Sequence, residues 1–191
     1  MFWDTEAGML IGIQALERKQ NHVLIALDGR CASGKTTLAG KLAARYGWKV
    51  VHLDDFFLRP EQRTEERYAT PGENVDHERF LEEVLLPLRS GQAARYRAFD
   101  CKAQRLSEEE KIMTPDGVTI IEGAYSCHPS LWNHYDLRVF LSVGREEQLR
   151  RIEQRNGAEQ LAVFRDKWIP LEERYFAAFQ IEQRCDYRLL L

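Results

Sequence analysis
The sequence predicts an α/β fold, and three observations carry that expectation. Short apolar runs of buried-strand type at residues 23–27, 48–53, 118–121 and 135–141 alternate with stretches whose apolar residues recur at helical spacing. Between the first run and the helix after it lies Asp28-Gly29-Arg30-Cys31-Ala32-Ser33-Gly34-Lys35-Thr36-Thr37, in which residues 29–36 fit the pattern G-x-x-x-x-G-K-[ST]. Acidic residues then stand at the carboxyl ends of two further runs, Asp54 with Asp55 and Glu122, where ligands of open α/β sheets sit.

Composition narrows the class. With 191 residues the chain reads as one domain spanning residues 1–191, or one domain with an inserted lid. Its 44% hydrophobic content suits a globular core and argues against disorder. A net charge of −3 without a long basic run argues against a nucleic-acid partner. Cys31, Cys101, Cys127 and Cys185 are scattered, as reduced thiols in a cytoplasmic protein would be. Asp4 and Glu6 near the start do not suit a signal peptide, and no apolar run has membrane-spanning length.

Taken in order, residues 4–20 read as a helix with Asp4 as N-cap and Met9, Ile13, Leu16 and Gln20 on one face. After the first strand and the glycine-rich turn, Leu38, Ala39, Leu42, Ala43 and Tyr46 trace a helix ending at Gly47. The second strand leads into Asp54-Asp55-Phe56-Phe57; were it to continue, only one aspartate would face the site, and the spacing leaves open which. Residues 58–75, with Pro60, Pro71 and Gly72, read as irregular. Asp76 caps a helix with Phe80, Leu81, Val84, Leu85 and Leu88 on its core face, His77 in solvent, and Pro87 kinking or ending the last turn.

Residues 93–106 mix Tyr96, Phe99 and Asp100 with four bases, and read equally as the lining of a small-molecule site or as an exposed hairpin. Cys127-His128 lacks further Cys or His at metal-ligand spacing. After Gly144, Glu147, Arg151 and Arg155 share a helix face. Phosphoryl transfer needs extra positive charge, so this face reads as a phosphate-facing lid over approximately residues 150–165. Residues 158–184 read as helical with a break, a new helix beginning at Pro170, and residues 186–191 as a closing strand.

The glycine-rich turn has a defined chemistry. Gly29 and Gly34 allow close backbone approach to a phosphate, and the amides of Arg30, Cys31, Ala32, Ser33 and Thr37 with the helix N-terminus form an anion cradle. Lys35 would reach the β- and γ-phosphates and Thr36 would offer its hydroxyl to Mg²⁺.

These residues resemble the uridine kinase-like branch of the P-loop kinases, which includes phosphoribulokinase, pantothenate kinase and nicotinamide riboside kinase relatives. The resemblance covers most of the chain. It rests on residues 28–37, Leu53-Asp54-Asp55-Phe56-Phe57, Asn74-Val75-Asp76-His77, Ile121-Glu122-Gly123 and Trp168-x-Pro170-x-Glu172. It implies a three-layer P-loop NTPase fold with a five-stranded parallel sheet and a small helical lid. It also implies ATP and Mg²⁺ as cofactors, and γ-phosphoryl transfer to a hydroxyl of a small molecule of nucleoside or nucleoside-like class.

By that resemblance Asp54 orients or deprotonates the acceptor hydroxyl, with Asp55 the second choice, and Glu122 joins Thr36 at the magnesium ion. Asp76 would touch a ribose, and Arg151 and Arg155 match lid arginines at a different spacing. Phe57 replaces a tyrosine, and Phe99 keeps one aromatic of the base-gripping segment, whereas Cys101 and Gln104 replace the other aromatic and a histidine. Those changes remove contacts that read a pyrimidine, so kinase chemistry is implied more strongly than uridine specificity.

Rival classes differ in the residues they need. A GTPase would need an N-K-x-D segment, which does not occur. A nucleotide kinase would need arginines around an acceptor phosphate, and Arg59, Arg63, Arg67 and Arg95 keep it open. A non-catalytic regulatory module would not need Lys35, Thr36, Asp54 and Glu122 together. Oligomeric state is open, a homo-oligomer included.

Overall fold
The structure is a computed structural model and describes residues 3–191. Five strands form its sheet: β1 (His22–Gly29), β2 (Lys49–His52), β3 (Gly117–Glu122), β4 (Leu137–Ser142) and β5 (Tyr187–Leu190). They lie in the order β2-β3-β1-β4-β5 and pair in parallel throughout. Every carboxyl end therefore falls on one edge of the sheet, which concentrates the chemistry there.

Side-chain alternation along β1 divides the core in two. Val23, Ile25 and Leu27 face helices α1 (Glu6–Glu17) and α2 (Lys35–Tyr46), through Met9, Ile13, Leu38 and Leu42. Leu24 and Ala26 face the opposite layer, which includes Phe80, Val84 and Leu85 of α3 (residues 77–89) and Tyr175 and Phe176 of α5 (residues 158–179). Each fully buried aliphatic side chain contributes about 1.5–3 kcal/mol, so β1 is secured from both faces. Helix α4 (Arg145–Asn156) follows β4 and meets α5 at Gly157. Among the described residues no helix is long and apolar enough to cross a membrane.

Several local expectations change. Thr5, not Asp4, caps α1, accepting the Gly8 N–H at 3.1 Å. Asp4 is drawn away because its carboxylate takes the Arg188 N–H at 2.8 Å beside β5. Residues 58–75 are not wholly irregular: they hold a 3-10 turn at Pro60–Gln62 and a short helix at Glu65–Ala69 capped by Thr64. Residues 93–106 form hairpin structure, with Ala94–Tyr96 paired to Lys111–Met113 and Phe99–Asp100 to Arg105–Leu106.

The two helical prolines start no new helix and end none. Pro87 lies in α3 just after a π turn at Leu81–Leu85, and Pro170 in α5 just after one at Phe164–Trp168. A proline ring clashes with the carbonyl four residues back, which belongs to Glu83 in one case and Asp166 in the other. Both residues sit inside the wide turn, which relieves the clash and lets the helix continue.

The glycine-rich loop is held from behind by groups far away in sequence. Gly29 has φ 135°, and a Cβ there would lie 1.9 Å from the Leu141 carbonyl oxygen, so only glycine fits between β1 and β4. Asp28 is fully buried. One of its oxygens accepts the N–H groups of Gly29 (2.7 Å) and Tyr125 (3.2 Å), the other the Cys127 N–H and the Tyr175 hydroxyl (2.8 Å each). Burial raises its carboxyl above the ordinary aspartate range, and these hydrogen bonds oppose that rise. Arg30 turns away from the loop's open side, donating to Glu173 at 2.7 Å, Ser142 at 2.8 Å and Glu182 at 3.2 Å. Buried Glu172 of α5 accepts the Cys31 N–H at 2.9 Å.

Two stability predictions follow from this anchoring. Tyr175→Phe removes one hydrogen bond to a charged acceptor, worth about 1.5–3 kcal/mol, and should lower the melting temperature by roughly 3–10 °C in a domain of this size. An unchanged melting curve would show that the bond does not secure the loop. Burial pushes the Glu172 carboxyl from 4.5 up to about 7, with Lys35 opposing. Between those pH values the folded chain keeps a proton that the unfolded chain has lost, so stability falls as pH rises through the window, by an amount on the order of 3 kcal/mol. Glu172→Gln has no proton to lose. Its melting temperature relative to the parent protein is expected to be higher at pH 8 than at pH 4.5, and a pH-independent difference would contradict the assignment.

Candidate active site
The carboxyl ends of β1 and β3 open onto a cavity of about 770 Å³. Residues 31–37 line it, whereas Gly29 and Arg30 lie behind. The Lys35 ammonium donates to the carbonyl oxygens of Gly29 (2.7 Å) and Arg30 (2.9 Å), which fixes it under the loop. Arg151 of α4 reaches the loop from the other side, donating to the Ala32 carbonyl at 3.2 Å while pairing with Glu147 at 2.7 Å. Arg155 also lines the cavity and donates to Asn156 Oδ1 at 2.7 Å.

Parallel register assembles the acidic side. Glu122 ends β3 opposite Leu27 of β1 and His52 of β2. Its carboxylate accepts the Thr36 hydroxyl at 3.1 and 3.2 Å and meets His52 Nδ1 at 2.6 Å. The hydrogen bond to Glu122 raises the His52 pKa, against the effect of burial.

The chain after β2 is not extended. It enters a 3-10 turn at Leu53–Phe56, and this turn, rather than strand alternation, separates the two aspartates. Asp54 opens into the cavity, and solvent reaches it there while protein surrounds its other sides. This crowding, then the negative charge of Glu122, raise its carboxyl above the ordinary aspartate range; Lys35 and His52 oppose. Asp54 makes no hydrogen bond or ion pair among the described residues. Asp55 is engaged elsewhere, with Lys111 Nζ at 2.7 Å and the Tyr96 hydroxyl at 3.3 Å.

Of the expected acceptor contacts, Phe57 lines the cavity, but Asp76 and Phe99 do not. Asp76 is buried as the N-cap of α3, accepting the Arg79 N–H at 3.3 Å, with the Arg59 and Arg79 guanidinium groups 3.4 and 3.7 Å away. Phe99 is buried in the hairpin with the Arg63 guanidinium 5.5 Å from its ring. His77 is not in solvent: the first turn of α3 packs against the chain after β3, and the imidazole is buried against His128.

Among the contacts to the loop and its acids that escape sequence reasoning are His52 on Glu122, Gln148 on the Cys31 carbonyl at 3.0 Å, and Glu172 on the Cys31 amide. Gln148 stands four residues before buried Ile152 and shares its helix face, which is a usable signal. His52 requires the strand register, which the sequence does not print.

The residues fit a nucleotide phosphate and a hard divalent cation. Ser33 Oγ is buried within the loop without a hydrogen-bond partner, beside a cavity that residues 31–37 line. The Thr36 hydroxyl and Glu122 carboxylate are a pair of oxygen donors of the kind Mg²⁺ prefers.

Comparison with known proteins agrees with this geometry. The chain is 29% identical over 146 residues to uridine kinase-like protein 5 of Arabidopsis thaliana, covering 71% of this chain and 31% of that protein. It is 28% identical over 140 residues to a candidate adenylate kinase of Methanosarcina mazei, covering 72% and 63%. The chain thus spans less than two thirds of the length of either curated relative. Among solved structures, a candidate fructose transport system kinase from Silicibacter superposes with a TM-score of 0.74 at 25% identity, covering 98% of this chain and 99% of that one. A D-glycerate 3-kinase from Cryptococcus neoformans shares the fold with a TM-score of 0.64 at 18% identity, covering 97% and 93%. The sequence model of the phosphoribulokinase/uridine kinase family matches residues 24–160, the stretch holding the phosphate loop, Asp54, Glu122 and the arginine face of α4, and the chain belongs to that family.

Proposed function
We propose that the protein is an ATP-dependent phosphotransferase that moves the γ-phosphoryl of MgATP to a hydroxyl of a small molecule, of nucleoside or nucleoside-like class. The observation that carries this reading is Asp54: a carboxylate with no protein partner, raised in pKa, opening into the same cavity as Lys35 and Thr36. A base of that kind is suited to accept a hydroxyl proton near neutral pH.

In this reading the acceptor oxygen bonds to the γ-phosphorus, its proton passes to Asp54, and ADP departs. Lys35, Arg151 and Arg155 stabilise the charge on the moving group. Thr36 and Glu122 would hold Mg²⁺, which neutralises phosphate charge when bound, and His52 orients Glu122. Phe57 offers an aromatic wall to the acceptor. The magnesium donors, the lid arginines and the acceptor wall are assignments from this arrangement and the family's chemistry.

The nucleotide-kinase alternative is disfavoured by the arginines it needs. Arg59 lies by Asp76 (3.4 Å), Arg63 donates to Gln104 (2.8 Å), Arg67 to Glu78 (2.7 Å) and Arg95 to Glu110 (2.8 Å). None of the four lines the cavity.

The test is ATP consumption across a panel of nucleosides, sugars, sugar acids and vitamins, with a nucleoside expected to raise turnover above background hydrolysis. If no member does, a regulatory nucleotide-binding module becomes the better reading. Asp54→Asn should lower kcat by about 10²–10⁴-fold while ATP affinity persists, and normal turnover by that variant would remove the base from the mechanism. Because the base must be ionised, the parent's kcat should decline as pH falls through the raised Asp54 pKa, an acid limb that a pH–rate profile would detect.

A further inference from the structure
The cavity extends to both sides of the phosphate loop. The loop leaves β1 at the middle of the sheet, β2 lies at one edge and β5 at the other. Asp54 and Phe57 follow β2, whereas Leu191 follows β5, and all three line the cavity. Leu191 reaches the loop itself: a Cβ at Gly34 would lie 3.6 Å from its Cδ1. A nucleotide held at the loop and an acceptor held at Asp54 therefore extend toward opposite edges of the sheet.

Helix α5 reaches over the Asp54 side. Lys167 Nζ lies 4.4 Å from the centre of the Trp168 ring and 4.7 Å from that of Tyr68, and Arg174 donates to the Tyr68 carbonyl at 2.9 Å. These contacts fasten α5 to the short helix Glu65–Ala69. From there the chain passes along α5, where a Cβ at Gly72 would lie 3.2 Å from Tyr175 Cδ2, to Asn74 and Val75 on the cavity wall. The Asp76 N–H then donates at 2.9 Å to the Phe56 carbonyl, in the turn that carries Asp54. Trp168 thus belongs to the acceptor's side of the cavity, which it lines together with Phe57.

Both rings leave apolar surface in water. Phe57 is 37% exposed, and the Trp168 indole is half-buried. Large aromatic faces at a cavity wall gain by covering a flat ring of a ligand. The hairpin at residues 93–106 offers no such face, since Phe99, Cys101 and Gln104 do not line the cavity.

We propose that Trp168 is the specificity-determining residue for the acceptor, stacking with Phe57 on an aromatic heterocycle that the acceptor carries. The inference rests on the phosphoryl transfer to a nucleoside-like hydroxyl proposed above, and names the part of the acceptor that the site reads. Sugars, polyols and sugar acids present no flat ring for these side chains, so the site selects against them.

Tryptophan fluorescence tests this directly, because among the described residues Trp168 is the one tryptophan that lines the cavity. The protein is first saturated with MgADP, which fills the nucleotide side, and then titrated with uridine, cytidine, adenosine and guanosine. At least one nucleoside should quench the emission, and D-ribose should not. Trp168→Phe should abolish the quench yet keep nucleoside affinity by calorimetry, since an aromatic face remains. Trp168→Ala should weaken that affinity about 10–100-fold, with MgADP affinity and circular dichroism close to those of the parent. The inference is overturned if no nucleoside quenches the MgADP-bound protein, if the quench survives Trp168→Phe, or if Trp168→Ala leaves nucleoside affinity intact. A quench by MgADP alone would assign the indole to the nucleotide's own base and overturns it as well. Turnover of a nucleoside without these changes removes the inference and leaves the phosphotransferase reading standing; the changes without turnover do the reverse.

Discussion
Much of the molecule hangs on the Asp28 carboxylate. It is buried completely, a position in which an unpaired charge would be costly. Four donors converge on its two oxygens, and they come from three parts of the chain: Gly29 in the loop, Tyr125 and Cys127 after β3, and Tyr175 in α5. The carboxylate therefore sets the departure angle of the phosphate loop, the path of the chain leaving β3 and the seat of the last long helix at once. Arg30 and Cys31 extend the same logic outward, tying consecutive loop residues to Glu173 and Glu172.

On the sheet's functional edge, position follows from pairing. In a parallel sheet, residues in register lie side by side, so Glu122 falls between Leu27 and His52 without any specific loop design. Like-charge crowding is then partly sorted by local partners. Lys111 and Tyr96 draw Asp55 aside, while Asp54 is left facing the cavity with Glu122 as its negative neighbour and Lys35 as its positive one. Ion pairing thus distinguishes two adjacent aspartates between which residue spacing alone leaves the choice open.

The fold was legible wherever local pattern and backbone chemistry coincide. The apolar runs, the glycine-rich turn and the acids at strand ends each act over a few residues, and the five-stranded parallel sheet matches what they and the family resemblance imply. Legibility failed where a distant partner decides. Asp4 loses its capping role to Thr5 because Arg188 claims its carboxylate. Pro170 does not open a helix because a π turn, invisible to a 3.6-residue period, absorbs it. His77 and His128 are 51 positions apart in sequence, and no spacing rule brings them into contact, so each looks unremarkable alone. Asp76 and Phe99 matched a family pattern, but that pattern does not print the helix cap and the hairpin core in which the structure sets them.

The anchoring of the loop also orders events in time. The phosphate loop is encoded at residues 29–36, but the groups that hold it are Tyr125, Cys127, Gln148, Arg151, Glu172, Glu173 and Tyr175. During synthesis these emerge from the ribosome roughly ninety or more residues after the loop itself. Contacts of such sequence separation form late and slow the folding of α/β domains. A nascent chain can carry the complete glycine-rich motif and still have no shaped cradle for a nucleotide, so ligand capture marks the end of folding rather than its start.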